Sequence, residues 1–146
     1  MSDLQLPLNQ PVAIQSSPLL LNMCGWSVPA GFPSPAADHA SKRLDLNDFL
    51  IKNRDATFIF RVSGDSMTGV GIYANDTVLV DRSIDPKHGN LVVAVLNTEF
   101  TLKRLYKRGG LVKLVPENPI YPHIVIKESD EFQVWGVVTA TIRKTW

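Results

Sequence analysis

A mainly β domain of antiparallel strands, with one short helix and an extended N-terminal arm, is what this sequence predicts, on three observations. Seven runs rich in β-branched and aromatic residues follow residue 56. Turn-forming residues separate them at short spacings, which favours hairpins and meanders over long crossover connections. Prolines crowd the other end, where Pro7, Pro11, Pro18, Pro29, Pro33 and Pro35 all precede residue 36 and no apolar periodicity is sustained. With 146 residues and 45% apolar content the chain has material for one core and is expected to form one globular domain.

Taken in order, the arm runs from residue 1 to about 35, and its Trp26 and Phe32 are candidate anchors on the domain surface, since a ring fastens an otherwise loose segment. Next, residues 44–53 carry Leu46, Phe49 and Leu50 on one helical face, with Asp45 as N-cap and Asp48 in the first turn. This short helix is expected to cover one end of a sheet. The strands are placed at 57–62, 77–80, 91–97, 100–106, 111–116, 123–126 and 132–142. Between them fall the turn signals Asn75-Asp76, Lys87-His88-Gly89-Asn90, Asn97-Thr98 and Gly109-Gly110.

Composition excludes several classes of function. Fifteen basic against fourteen acidic residues leave a net charge of +1, so the chain lacks the broad positive field of a protein that binds phosphate backbones, and no direct nucleic-acid binding is expected. Its single cysteine, Cys24, forms no internal disulfide, which favours a cytoplasmic protein. The longest apolar run, Leu91 to Leu96, is strand length, so no membrane span is expected, and no secretory signal is read at the N-terminus. The isolated histidines and cysteine show no metal-ligand spacing, and neither a metal nor another cofactor is expected.

Chemistry is concentrated in two short segments. In Val62-Ser63-Gly64-Asp65-Ser66-Met67 the glycine lets the chain turn sharply after a strand, which would expose Ser66 Oγ and aim the amides of Asp65 and Ser66 at a substrate carbonyl as oxyanion donors. An ordinary strand-end turn has the same composition. A serine nucleophile needs a base, and His39, His88 and His123 lie in no motif with an acidic partner. Lysine is the other possible base when apolar surroundings favour its neutral amine, and Glu99-Phe100-Thr101-Leu102-Lys103-Arg104-Leu105 supplies such a strand. Neighbours on a strand face opposite ways, and arginine does not give up its proton, so Lys103 and not Arg104 is the candidate base. A solvated strand lysine is the alternative.

Read together with Gly31-Phe32-Pro33-Ser34-Pro35-Ala36-Ala37-Asp38, these segments resemble the LexA-like self-cleaving serine peptidases (peptidase family S24), and within them the UmuD branch with its MucA and RumA relatives. The stretches Asp76-Thr77-Val78-Leu79-Val80-Asp81 and Trp135-Gly136-Val137-Val138 also look familial. The resemblance implies a compact LexA-like peptidase domain at residues 31–146 and an arm, residues 1–30, removed by self-cleavage. It implies Ser66 as nucleophile, Lys103 as general base and Ala30-Gly31 as the cut bond. Cys24-Gly25, also followed by an aromatic residue, is a second possible bond, but only the Gly31 site continues into Pro33-Ser34-Pro35. Thirty proline-rich residues are too few for a helix-turn-helix, which argues against a repressor.

The branch further implies stimulation by the RecA filament on single-stranded DNA. The shortened homodimer would then serve as subunit of a UmuC-type Y-family polymerase in error-prone synthesis across lesions. A signal-peptidase-like processing enzyme and a non-enzymatic dimeric β-domain adaptor are the competing readings.

Overall fold

The computed structural model describes residues 12–13, 20–23, 27–33, 35 and 42–146, with the backbone alone at 12–13. In chain order these form β1 (Val12–Ala13), β2 (Leu20–Met23), β3 (Lys42–Asp45), α1 (Leu46–Leu50), β4 (Thr57–Arg61), β5 (Thr77–Asp81), β6 (Leu91–Leu96), β7 (Glu99–Arg108), β8 (Leu111–Val115), β9 (Ile124–Val125) and β10 (Phe132–Ile142). They divide into two compact units, Met1–Ile14 with Asn53–Trp146, and Gln15–Lys52. Among the described residues no helix is long and apolar enough to cross a membrane.

The larger unit holds one eight-stranded sheet in the order β1-β4-β5-β10-β6-β7-β8-β9, with every neighbouring pair antiparallel. Its central strand β6 explains the longest apolar run of the chain. Leu91 and Val93 pack into one cluster with Phe60, Met67, Val78 and Val80, whereas Val92 and Ala94 pack into a second with Leu105, Leu114 and Val137. Both faces of β6 are therefore buried, so alternation with polar residues is lost. Turn chemistry closes the meander. Asn97 (φ 49°) and Thr98 (φ 71°) join β6 to β7, and Gly109 (φ 59°) and Gly110 (φ 75°) join β7 to β8, the double positive φ that tight hairpins demand.

The longest strand, β10, bends at two irregularities that no sequence pattern announced, at Trp135 against β6 and at Thr139 against β5. Between them a Cβ on Gly136 would stand 2.6 Å from Val80 Cγ1 and 3.3 Å from the Asp81 carbonyl, so only glycine fits there. Trp135 meets Phe58 and Phe60 edge to face, each at 5.2 Å between ring centroids, and Arg82 lies over it at 4.3 Å.

In the smaller unit β2 pairs with β3, Leu20 opposite Asp45 and Met23 opposite Lys42. Both β2 and the pairing of β1 with β4 add strand to an arm whose sequence shows no β period. Asp45 caps α1 by accepting from Asn47 N at 3.0 Å, as its position predicts. Yet the helix is five residues long and none of them is buried, with Leu46 and Phe49 exposed, so the expectation that it covers a sheet end is corrected. Phe32, expected to anchor the arm, is 93% exposed. Cys24, Gly25, Trp26 and His39 lie outside the described residues.

Candidate active site

Ser66 stands in the turn that leaves β4, just ahead of a single 3-10 turn at Thr68–Val70. Gly64 adopts φ 81°, a left-handed conformation that a residue with Cβ rarely takes, and this bends the chain after Val62. Met67, only 2% exposed, is driven into the core beside Phe60 and Val78 and fixes the turn from beneath. Its neighbour Ser66 stays half-buried.

A second segment, residues 117–121, clamps the turn from the side. Glu117 N donates to the Ser66 carbonyl at 2.8 Å, and Gly69 N donates to the Glu117 carbonyl at 2.7 Å. A Cβ on Gly69 would collide with that same carbonyl, so the close approach depends on glycine. Asn118 Nδ2 donates to the Asp65 carbonyl at 2.9 Å, and the Tyr121 hydroxyl donates to the Asp65 carboxylate. The Glu117 carboxylate accepts in turn from Arg104 Nε on β7. Carbonyls of the turn are thus engaged, while the amides of Asp65 and Ser66 have no acceptor among the described residues.

Lys103 reaches the same turn from β7. Its Nζ lies 3.1 Å from Ser66 Oγ, 2.8 Å from Thr101 Oγ1 and 3.1 Å from the Leu102 carbonyl. All three partners are neutral, so nothing offsets the loss of hydration, and burial pushes the amine below its ordinary value. The three partners match the three N–H donors of the ammonium, and on deprotonation one of those contacts can reverse. A neutral amine keeps two N–H donors, which Thr101 and Leu102 accept, and gains one lone pair, which the Ser66 hydroxyl faces.

Ser66 and Lys103 open onto a cleft of about 120 Å³, lined by the apolar side chains of Phe60, Val78, Val93 and Leu102. No described histidine touches Ser66. The His88 ring accepts from Lys107 N at 3.1 Å and lies edge to face against Tyr106, while His123 borders other pockets. Arg104 is turned to Glu117 and to the Gly89 carbonyl, at 2.6 Å from the latter, and lines a pocket separate from the Ser66 cleft. Among the described residues no group of carboxylates, histidines and cysteines is arranged to hold a metal.

The sequence did not point to Thr101 or to the 117–121 clamp. Thr101 was within reach of a rule, since residues two apart share a strand face. The clamp was not, because its contacts span about fifty residues of chain and its members have ordinary turn composition. Ala30 and Gly31 belong to the smaller unit and are both exposed.

Comparison with known proteins adds an independent line. The Peptidase S24-like family model matches residues 20–139. The SamA protein of Salmonella typhimurium is 42% identical over 139 residues, covering 95% of this chain and 93% of the relative. The ImpA protein of the same organism is 39% identical over 136 residues, 88% of this chain and 84% of the relative. The LexA repressor of Bordetella avium is 34% identical over 137 residues, 94% of this chain and 63% of the repressor.

Proposed function

The chain belongs to the Peptidase S24-like family of serine peptidases, and from that premise we propose that it cleaves itself at Ala30-Gly31 with Ser66 as nucleophile and Lys103 as general base. The observation that carries this reading is the 3.1 Å contact between Lys103 Nζ and Ser66 Oγ, made by an amine with no charged partner.

The chemistry follows from the geometry. Neutral Lys103 takes the hydroxyl proton as Ser66 Oγ attacks the Ala30 carbonyl, and the free amides of Asp65 and Ser66 are the donors nearest the developing oxyanion. Protonated Lys103 then gives that proton to the Gly31 nitrogen as the peptide bond breaks, leaving Ala30 esterified to Ser66. Water, deprotonated by the same amine, hydrolyses the ester. The products are residues 1–30 and residues 31–146. A cleft of only about 120 Å³ suits a residue as small as Ala30, and both residues of the bond are exposed.

The reaction belongs to the SOS response, as the relatedness to SamA, ImpA, MucA and LexA proteins supports. In this reading the RecA filament on single-stranded DNA raises the population in which the arm lies in the cleft, and adds no catalytic group. Residues 31–146 then pair as a homodimer and join a UmuC-type Y-family polymerase in error-prone synthesis across lesions. Intact-mass spectrometry after alkaline incubation tests the reaction. A single fragment beginning at Gly31, absent in Ser66→Ala and in Lys103→Ala, is expected. A chain left whole both at high pH and with the filament added sinks the proposal.

A further inference from the structure

The β7–β8 hairpin carries a concentration of positive charge that the whole-chain balance conceals. Residues 103–113 hold five lysines and arginines and no aspartate or glutamate, in a chain with fifteen and fourteen. Strand alternation puts Arg104, Tyr106 and Arg108 on one face, and Lys113 is the cross-strand partner of Tyr106 in register. On that face lies a pocket of about 210 Å³, bordered by His88, Arg104, Tyr106, Lys113 and His123, with Leu105 and Val115 among its apolar walls and no carboxylate in its lining.

Each cation there has a defined state. Arg104 is compensated by Glu117 and the Gly89 carbonyl, so it braces the pocket and adds little to its field. Among the described residues Lys113 has no such ion pair. Its Nζ stands 5.0 Å from the centroid of the Tyr106 ring, a contact that leaves the charge uncancelled. Arg108 is exposed at the hairpin tip. The exposed ring of His88 accepts at Nδ1 from Lys107 N, so its neutral form carries the proton on Nε2 and offers a donor there.

We propose that this face of the hairpin binds a single-stranded polynucleotide. Arg108, Lys113 and His88 engage its phosphates, and the apolar pocket that His88 and Lys113 border receives an unpaired base. Cations grouped around an apolar recess are the arrangement by which single strands are held without sequence readout, and a duplex offers no free base to fill the recess. A net charge of +1 describes the average surface and leaves room for one strongly positive face. The pocket is lined apart from the Ser66 cleft, so this binding does not rest on the peptidase reading.

Fluorescence anisotropy with a labelled oligothymidylate, titrated with salt, tests the proposal on the full chain carrying Ser66→Ala in every arm so that it stays whole. Arg108→Glu with Lys113→Glu is expected to weaken binding roughly tenfold or more and to flatten the log–log salt slope by about 1.4, the loss of two single-strand phosphate contacts. Lys52→Glu with Lys144→Glu makes the same change in net charge on other exposed lysines and is expected to leave the slope within error. Should the glutamate pair melt early, Arg108→Gln with Lys113→Gln reads the same comparison. The proposal is overturned if the parent shows no salt-dependent binding or if both reversals weaken it equally. Tighter binding of a duplex of equal length, or of polyglutamate, would also overturn it, the latter by assigning the face to acidic peptides.

Discussion

Lys103 and Asp76 are both polar side chains drawn into the larger unit, and their surroundings treat them in opposite ways. Asp76, 2% exposed, receives a fork from Arg143, with Nε and Nη2 each 2.6 Å from one carboxylate oxygen, and a third bond from Tyr73 N at 2.8 Å. The Arg143 hydrogen bond holds its carboxyl below the ordinary value despite burial. Arg143 also stacks over Tyr73 and donates to the Gly71 carbonyl, tying the end of the chain to the loop beyond Ser66. Among the described residues Lys103 has neutral partners only, and burial acts on it unopposed. A buried charge supplied with its counter-ion braces the fold, whereas one left without it is poised to exchange a proton.

The sharpest way to break this comparison is to remove the chemistry and keep the fold. Lys103→Arg retains a cation that does not deprotonate, so self-cleavage is expected to fall by roughly 10² to 10⁴ while the protein remains folded, read by fragment mass and circular dichroism. Lys103→Met is expected to be as inactive, with a melting temperature at neutral pH equal to the parent's or higher. The sign follows from the depressed pKa. Between the folded value and the unfolded value near 10.4 the unfolded chain binds more protons, so burying the charged amine costs stability below that window and the cost fades as pH rises.

The same shift predicts that the cleavage rate climbs about tenfold per pH unit until Lys103 is neutral and then levels, because only the free amine accepts the Ser66 proton. A flat profile would separate the reaction from this lysine. On the other side of the comparison, Arg143→Ala strands a buried carboxylate and is expected to lower the urea midpoint at neutral pH, with cleavage per folded molecule unchanged. Asp76's contribution is present above roughly pH 4, its unfolded value, and is lost as pH falls through the lower folded one, so the gap between parent and variant should close in acid. The smallest effect is expected at Asn118→Ala, which frees one carbonyl of the Ser66 turn. Stability should drop by about 0.5–1.5 kcal/mol and cleavage should slow by less than in Lys103→Arg, both measured on the same preparations.

Asp76 and Lys103 also mark how far the sequence could be read. Asp76 looks like half of an Asn-Asp turn, and its side chain does accept from Tyr73 N, but its partner Arg143 is 67 residues away and carries no local signal. Lys103 could be told from Arg104 by its ability to lose a proton, while the neutrality of its partners could not be read. The strand runs after residue 56 were legible because each is a local pattern of β-branched and aromatic residues closed by turn residues, and β4 to β8 and β10 lie within about two residues of them. The two-residue β1 and the four-residue β2 were not, since such short strands are defined by their partners β4 and β3 and not by their own composition. The helix signal was half right: the Asp45 cap is a local hydrogen bond and formed, but burial of Leu46 and Phe49 needed a neighbour.

The sequence by itself determined the strand inventory, the hairpin turns at 97–98 and 109–110, and which residue types could act as nucleophile and base, because all of these rest on side-chain chemistry and backbone preference within a few residues. Tertiary structure alone decided that Ser66 and Lys103, 37 positions apart, come within 3.1 Å, and that a clamp of residues 117–121 holds the turn. It also decided that His88 and Lys113, far apart in the chain, border one pocket on the β7–β8 hairpin. Those outcomes depend on strand order and register, which are set by burying both faces of the sheet at once and which no short window of the chain contains.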